Sequence, residues 1–407
     1  MMHVFINALA ASAGGGLTYI RNVLPRLAAY PDLRVTVVLG PGLRAEFCDL
    51  PRIDYVEMGN PPARRFWYEQ SVLPDVIRRA QSDVLLSTGN FALRKSPVPQ
   101  ILLSRNSIYT SADFYRDLLA RGEYRMWLDT RIRGAMAKRS VGWATVTVAP
   151  SEAFAEDLRR WTGGRVLAIH HGFDHDVFVR DSTPLPSEVE GKLRAVAGAF
   201  TILFVSHYNY YRNFETLIRA LPFLRERMGG VPIKMLLTCR LIPGANPGGY
   251  RPHAAAELVK NLGVSDLVEE LGPIPYHQLH QVYGRANVYV SPAYTETFAH
   301  PLVEAMASKL PVVASDLPVH REICGDAAAY FPRFSPEALA GSVAQVAQSP
   351  ELSGRMSALG LERSRQFSWK THVEQILELS ERLIKSKARG SLAANDEERG
   401  LSPRRSA

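Results

Sequence analysis

What most constrains the fold of this chain is a repeating alternation: short apolar runs rich in β-branched residues, each followed by a longer segment with apolar residues at helical spacing. Runs without polar alternation are buried on both faces, the state of strands in a parallel sheet covered by helices. They fall at 3–7, 34–39, 83–86, 100–103, 145–148 and 166–169, and again at 201–205, 234–238, 288–290 and 311–314. Between the two sets, 173–200 is rich in acids and prolines (Asp174, Asp176, Asp181, Pro184, Pro186, Glu188) and reads as an interdomain connection, with the boundary near residue 185. The pattern predicts an α/β protein with one parallel sheet in 1–185 and another in 186–367. A helix over 368–386, with Val373, Ile376, Leu377, Leu379, Leu383 and Ile384 at its apolar positions, must pack on one of them. The segment 387–407 mixes Gly, Ser, Pro and charges and reads as a disordered tail.

A length of 407 residues accommodates two or three domains, and 46% hydrophobic with 22% charged residues is the balance of a soluble globular protein. No apolar run approaches the roughly 20 residues that span a bilayer, and the N-terminus has neither a basic leader nor a long apolar segment, which predicts a cytoplasmic protein. Cys48, Cys239 and Cys324 are odd in number and lack a metal-ligand rhythm, so reduced thiols are expected, with no disulfide and no metal. Residues 1–175 hold 22 Lys and Arg against 16 Asp and Glu, and the remainder 26 against 24. A mild basic excess serves phosphate-bearing ligands, an anionic membrane surface or plain solubility, and does not indicate nucleic acid.

Four junctions where a strand runs into a helix or loop could carry chemistry. In Thr295-Glu296-Thr297-Phe298-Ala299-His300-Pro301-Leu302-Val303-Glu304, Pro301 suits a first helical turn, Glu296 lies on the loop upstream and Glu304 lies near the helix start. A helix entrance attracts an anion and a nearby carboxylate can accept hydrogen bonds from a diol, a combination that suits a diphosphate, a ribose and a hexose. Read alone, it is equally two solvated glutamates on an αβ unit. Asn7 to Tyr19 holds Gly14, Gly15 and Gly16 after the first strand, either a flexible turn or a ligand cradle, and fits neither a dinucleotide fingerprint nor a P-loop. Phe204 to Glu215 brings His207 and Arg212 to a strand's carboxyl end, where Arg212 is either a solvated charge or a diphosphate clamp. Gly272-Pro273-Ile274-Pro275 is either a simple loop or a backbone surface that reads a base edge. Their order along two α/β layers joins these four weak signals into one.

That order, with Glu304-Ala305-Met306-Ala307, Pro311-Val312-Val313-Ala314-Ser315-Asp316, Val148-Ala149-Pro150-Ser151 and His171-Gly172-Phe173-Asp174, resembles the retaining GT-B glycosyltransferases of glycosyltransferase family 4. The resemblance implies two Rossmann-like domains with parallel sheets facing a central cleft, the last helix returning to the N-terminal, acceptor-binding domain. It implies a nucleotide-diphosphate sugar as donor substrate, no cofactor, and a glycan or lipid-linked acceptor of bacterial envelope or exopolysaccharide synthesis. By resemblance Glu304 holds the ribose hydroxyls and Glu296 contacts the transferred sugar. Phe298, Ala299 and His300, with Pro301 and Leu302 behind them, line the sugar and phosphates. Arg212 matches the family's basic residue for the diphosphate, Pro273 and Ile274 lie at the base, and Gly15 and Gly16 lie beneath the diphosphate.

The chain departs from the family's pattern in three places. His207 stands where the family usually has Arg, and Ala299 where it usually has Gly. Ser104-Arg105-Asn106-Ser107 occupies the stretch where many members place a His beside the reacting sugar, so Arg105 or Asn106 becomes the candidate to position sugar or acceptor; neither is a general base. The implied reaction is hexosyl transfer with retention and without metal, the leaving diphosphate being stabilised electrostatically. Two other functions share the scaffold: a nucleotide-sugar epimerase and a catalytically silent binding protein. Residues 113–139, with seven Lys and Arg against four acids and with Phe114, Tyr115, Tyr124 and Trp127 interleaved, form either an ordinary basic helix or one that docks peripherally on an anionic membrane.

Overall fold

The computed structural model describes residues 1–11, 14–59 and 65–400. The chain forms two compact units. The first holds Met1–Tyr109, Arg131–His170 and the segment from Trp369; the second holds Thr110–Thr130 and His171–Ser368. Residue 185 thus lies inside the second unit, and the chain passes between units four times, at 109/110, 130/131, 170/171 and 368/369.

In the first unit β1 (Met2–Ala8), β2 (Leu33–Leu39), β3 (Ile53–Glu57), β4 (Val84–Ser87), β5 (Gln100–Leu103), β6 (Val146–Ala149) and β7 (Val166–Ala168) form one sheet in the order β3-β2-β1-β4-β5-β6-β7. In the second, β8 (Phe200–Phe204), β9 (Ile233–Leu237), β10 (Val268–Glu270), β11 (Val288–Ser291), β12 (Val312–Ser315) and β13 (Ala328–Phe331) run in the order β10-β9-β8-β11-β12-β13. Every neighbouring pair is parallel. Strand order reverses between β1 and β4 in one sheet and between β8 and β11 in the other, and the crevice at such a point is where open α/β sheets take ligands.

Each strand read from the sequence is present within a residue or two of its expected ends. Three were not read: β3, β10 and β13. All three are sheet edges, half-exposed along most of their length, so the continuous apolar run that marks a central strand is missing from them.

The closing helix, Trp369–Gly400, packs on the first unit. Trp369, Val373, Ile376, Leu377, Leu379 and Leu383 join the core formed by β1, β2 and the helix Gly14–Leu27, each buried side chain contributing about 2 kcal/mol. His372 Nδ1–H donates to the His170 carbonyl at 2.8 Å, which leaves Nε2 to accept from Tyr19 Oη at 2.9 Å. The helix continues past residue 386, into the segment read from the sequence as a tail. The end of the expected tail, 401–407, lies outside the described residues.

The segment 110–130, sequentially part of the first half, belongs to the second unit for electrostatic reasons. The helix Ala112–Ala120 is capped by Ser111 and buries Phe114 and Leu118. Asp113 accepts from Arg333 Nε and Nη2 at 2.9 and 2.6 Å, and Asp117 accepts from Tyr294 Oη at 2.8 Å. Arg121 donates to Glu215 at 2.9 Å, and Glu123 accepts from Tyr210 Oη at 2.6 Å and Arg251 Nε at 2.8 Å. The charges of the segment are visible in the sequence; their partners, up to 220 residues away, are not. Cys48 is exposed, Cys239 and Cys324 are buried, and all three are free thiols. No helix among the described residues is long and apolar enough to cross a membrane.

Candidate active site

In the second unit the functional side chains gather where β8 and β11 end side by side. After β8 the chain is held by a series of short hydrogen bonds. Ser206 N–H donates to Thr238 Oγ1 at 3.1 Å and Tyr208 N–H to Asn246 Oδ1 at 3.1 Å. Asn209 Oδ1 accepts the Arg212 N–H at 3.1 Å and caps the turn Tyr210–Arg212. Asn213 then takes a left-handed conformation, φ 58°, which asparagine tolerates, and ties its Nδ2 to the carbonyls of Pro292 (3.0 Å) and Arg333 (2.7 Å) before the helix Phe214–Arg227 begins. The result aims Arg212 at the loop that follows β11. That loop is joined to the first by Tyr294 N–H donating to the Tyr211 carbonyl at 3.0 Å, and it carries Glu296.

Arg212 Nη1 pairs directly with Glu296 Oε2. The other carboxylate oxygen accepts from Thr297 N–H at 2.9 Å. Burial alone would raise the Glu296 carboxyl, but the Arg212 guanidinium outweighs it and holds the group below the usual carboxylate range. Arg212 Nε, also buried, has no acceptor. The cation thus keeps donor capacity beyond its carboxylate.

The helix His300–Ala307 follows, entered through Ala299 at φ 63° and ψ 62°. A left-handed alanine costs roughly 1–2 kcal/mol and marks a backbone held by its surroundings rather than by preference. Phe298 lies beneath this corner, its ring centroid 5.6 Å from that of His171 and 5.4 Å from that of Phe367. His300 and His171 share a hydrogen bond, Nε2 to Nδ1, at 3.2 Å. Pro301 occupies the first turn and Leu302 is buried behind it. Glu304 is one turn further in, buried, and accepts from Tyr283 Oη at 2.9 Å. Burial pushes its carboxyl up to about 7, against the Tyr283 and Tyr276 phenols and the Arg212 charge, which favour the ionised form.

Three other residues of this unit sit differently. His207 is exposed and its pKa lies below that of a free imidazole, through desolvation and then the Arg212 charge, so it adds little positive charge at neutral pH. Pro273 is exposed and Ile274 half-buried in the loop after β10, where Gly272 takes a left-handed φ of 79° and a Cβ on it would stand 3.1 Å from Arg240 Nε. His320 is wholly buried after β12. Its Nδ1–H donates to the Ser315 carbonyl at 2.8 Å, its Nε2 has no partner, and burial pushes its pKa down to about 4.

In the first unit, Gly15 is exposed and Gly16 half-buried at the start of Gly14–Leu27; Ser12 and Ala13 of the same turn lie outside the described residues. Arg105, read from the sequence as a candidate to position sugar or acceptor, is tied to two backbone carbonyls. Nη1 donates to the Gly15 carbonyl at 2.9 Å and Nη2 to the Thr88 carbonyl at 2.6 Å. Asn106 turns its Oδ1 back to the Ile108 N–H at 3.4 Å, a local turn contact. Sequence reasoning missed Tyr283 and Tyr276 as partners of Glu304, and His320 and Asn213 altogether; a residue 21 positions before its partner leaves no spacing signal.

The structure brings together Arg212, Glu296, Phe298, Ala299, His300 and Glu304, a cation, two carboxylates of opposite pKa shift and a helix entrance. Among the described residues no cluster of His, Cys, Asp and Glu could hold a metal ion. The family described as Glycosyltransferase Family 4 matches residues 13–223, just over half of the chain, and the one described as Glycosyl transferases group 1 matches 188–363, which contains this site. Curated relatives include D-inositol 3-phosphate glycosyltransferases of Corynebacterium urealyticum, 24% identical over 90% of each chain, and of Streptomyces avermitilis, 25% identical over 88% of this chain and 81% of the relative. Among solved structures, the sucrose-phosphate synthase of Thermosynechococcus elongatus superposes with a TM-score of 0.75 at 18% identity, over 95% of this chain and all of that one. Anabaena HepE, solved in complex with UDP and glucose, superposes at 0.68 and 18% identity, over 94% of this chain and all of HepE. These likenesses show the fold, two Rossmann-like domains of the GT-B type. By the match over more than half its length, the chain belongs to glycosyltransferase family 4 and is a GT-B glycosyltransferase.

Proposed function

We propose that the protein transfers a hexosyl group from a nucleotide-diphosphate sugar to a glycan or lipid-linked acceptor with retention of anomeric configuration. The observation that carries this is the placement of Arg212, Glu296 and Glu304 around the carboxyl ends of β8 and β11. Arg212, with Nε unused, stabilises the diphosphate as negative charge develops on it; Glu296, fixed by Arg212 and the Thr297 amide, holds the sugar. Glu304 accepts the ribose hydroxyls, and the backbone at Ala299 and His300 faces the sugar and phosphates. The loop at Pro273 and Ile274 reads the base. That HepE was solved with UDP and glucose supports a nucleotide-sugar donor.

In the transfer the acceptor oxygen bonds to the anomeric carbon on the face from which the diphosphate departs. The anomeric carbon–phosphate oxygen bond breaks, its electron pair stays on the diphosphate, and the acceptor proton passes to a diphosphate oxygen. The protein supplies the positive charge through Arg212 and backbone N–H groups, needs no cofactor, and uses no side chain as base.

An envelope or exopolysaccharide acceptor fits a further observation. The helix Tyr124–Trp143 exposes Tyr124, Leu128 and Ile132 (68%, 55% and 54%) at i, i+4 and i+8, beside Arg125 and Arg139. Apolar and basic side chains on one helix face suit peripheral docking on an anionic membrane at its cytoplasmic side. Cosedimentation with phosphatidylglycerol vesicles but not phosphatidylcholine vesicles is the expected result.

A thermal-shift screen of UDP-, GDP- and ADP-sugars identifies the donor, since a ligand of the native state alone stabilises it in proportion to occupancy. Proton NMR of the product from that donor and an acceptor pool then gives the anomeric configuration. An inverted product would overturn retention, and turnover of the donor without any acceptor to an isomeric nucleotide sugar would mark an epimerase instead.

A further inference from the structure

Arg212 and Glu296 are two corners of a closed ring in the second unit. Tyr294, two residues before Glu296, is buried and tied at both ends: its N–H donates to the Tyr211 carbonyl at 3.0 Å and its phenol to Asp117 Oδ2 at 2.8 Å. The other oxygen of Asp117 accepts from Arg121 Nε at 2.8 Å, and Arg121 Nη1 donates to Glu215 Oε1 at 2.9 Å. Glu215 lies three residues after Arg212, and the Arg212–Glu296 ion pair completes the circuit. The ring therefore has the Arg212–Glu296 pair on one side and the Asp117–Arg121 pair, from the segment Thr110–Thr130, on the other.

Stability alone does not require charges at this place. Glu215 is buried and Arg121 half-buried, and Glu215 Oε2 has no partner at all. Packed apolar residues of similar volume serve stability as well as a desolvated ion pair does, and the helix Ala112–Ala120 already buries Phe114 and Leu118. What the charged groups add is direction. Arg121 reaches Asp117 and Glu215 through separate nitrogens, and Tyr208 Oη donates to the same Glu215 oxygen at 2.9 Å. The loop after β8 and the loop after β11 are thereby set against one guanidinium.

We propose that Asp117 is a positioning residue for the transfer reaction: through the Tyr294 phenol it sets where Glu296 stands against Arg212, without touching substrate. This rests on the roles given above to Glu296 and Arg212. A single residue separates Tyr294 from Glu296, so a shift of the phenol passes directly to the carboxylate. A displacement of about 1 Å in a group that orients a reacting sugar costs up to about 100-fold in rate. Arg121 acts behind Asp117, holding one of its oxygens so that the other meets the phenol. Glu304 lies outside the ring, so the effect falls on kcat rather than on donor KM.

The test measures turnover, as release of nucleoside diphosphate, of whichever of the UDP-, GDP- and ADP-sugars the full-length wild type consumes with an acceptor pool. Tyr294→Phe removes only the hydroxyl, and Asp117→Ala removes its partner. Each should lower kcat about tenfold while donor KM stays within about twofold. Leu118→Ala opens a cavity in the same helix but outside the ring; it should lower the melting temperature at least as much and leave kcat within about twofold where all variants are folded. In Glu296→Gln, where the positioned carboxylate is gone, adding Tyr294→Phe should change kcat by less than about twofold. Unchanged kcat in Tyr294→Phe and Asp117→Ala, an equal fall in Leu118→Ala, or a further fall of about tenfold on top of Glu296→Gln would overturn the positioning role and leave the transferase reading standing. A wild type that consumes none of the three sugars would instead remove the transferase reading, and this role with it.

Discussion

Glu304 sets a pH dependence that the proposed donor site should obey. Its carboxyl, ordinarily near 4.5, is pushed up to about 7 by burial, so the ligand-free protein holds a proton there that the unfolded chain has released. The sign follows from linkage. A raised carboxyl pKa contributes stability that is fully present below about 4.5 and is lost as pH rises through about 7, a span worth roughly 3 kcal/mol. Ribose hydroxyls donating to the carboxylate require the ionised form, so donor affinity should run the opposite way. With a pKa near 7, affinity at pH 6 should be about tenfold below its plateau above pH 8, and binding at pH 6 should release close to one proton. A nucleotide sugar is the right probe, because its diester phosphates do not titrate in this range. His207, its pKa lowered, gains charge only at lower pH and would oppose the trend. Calorimetric titrations between pH 5.5 and 8.5, in two buffers of different ionisation enthalpy, measure both quantities, and Glu304→Gln should flatten the profile. Affinity that is constant from pH 5.5 to 8, or proton uptake on binding, would refute the assignment of Glu304 to the ribose.

Three further outcomes follow from the packing. Glu296→Gln leaves Arg212 without its anion and should cost about 2–3 kcal/mol in urea denaturation, with kcat falling far more than donor KM rises. Ala299→Gly relieves a left-handed alanine and should stabilise the protein by about 0.5–1 kcal/mol after the entropy of glycine is counted, seen as a higher denaturation midpoint. Ile376→Ala, in the closing helix, opens a cavity in the core of the first unit and should lower stability by about 3 kcal/mol.

The central strands could be read from the sequence because burial on both faces writes itself as an unbroken apolar run. The edge strands β3, β10 and β13 could not, since half-exposure dilutes that run to a few residues. For the site, Glu296, Glu304 and Arg212 were legible because a helix entrance and a strand end each leave a local mark: Pro301, the glutamate spacing and the loop after Phe204. What surrounds them was not. The Tyr283 phenol, the Asn213 ties to Pro292 and Arg333, and the clamp of Arg105 on Gly15 and Thr88 join residues between 17 and 120 positions apart. Such contacts depend on strand order, which hydrophobic spacing alone does not encode. The same holds for segment 110–130, whose acids were visible but whose partners on the second unit were not.

The central claim, that Arg212 and Glu304 bind a nucleotide-diphosphate sugar for transfer, is tested most directly by an equilibrium titration of the full-length protein with UDP-, GDP- and ADP-sugars, repeated on Arg212→Gln. One donor class should bind at a single saturable site, and the substitution should weaken it roughly 10- to 100-fold, the worth of a charge-assisted contact. The absence of binding by all three classes, or equal affinity in the wild type and Arg212→Gln, would contradict it.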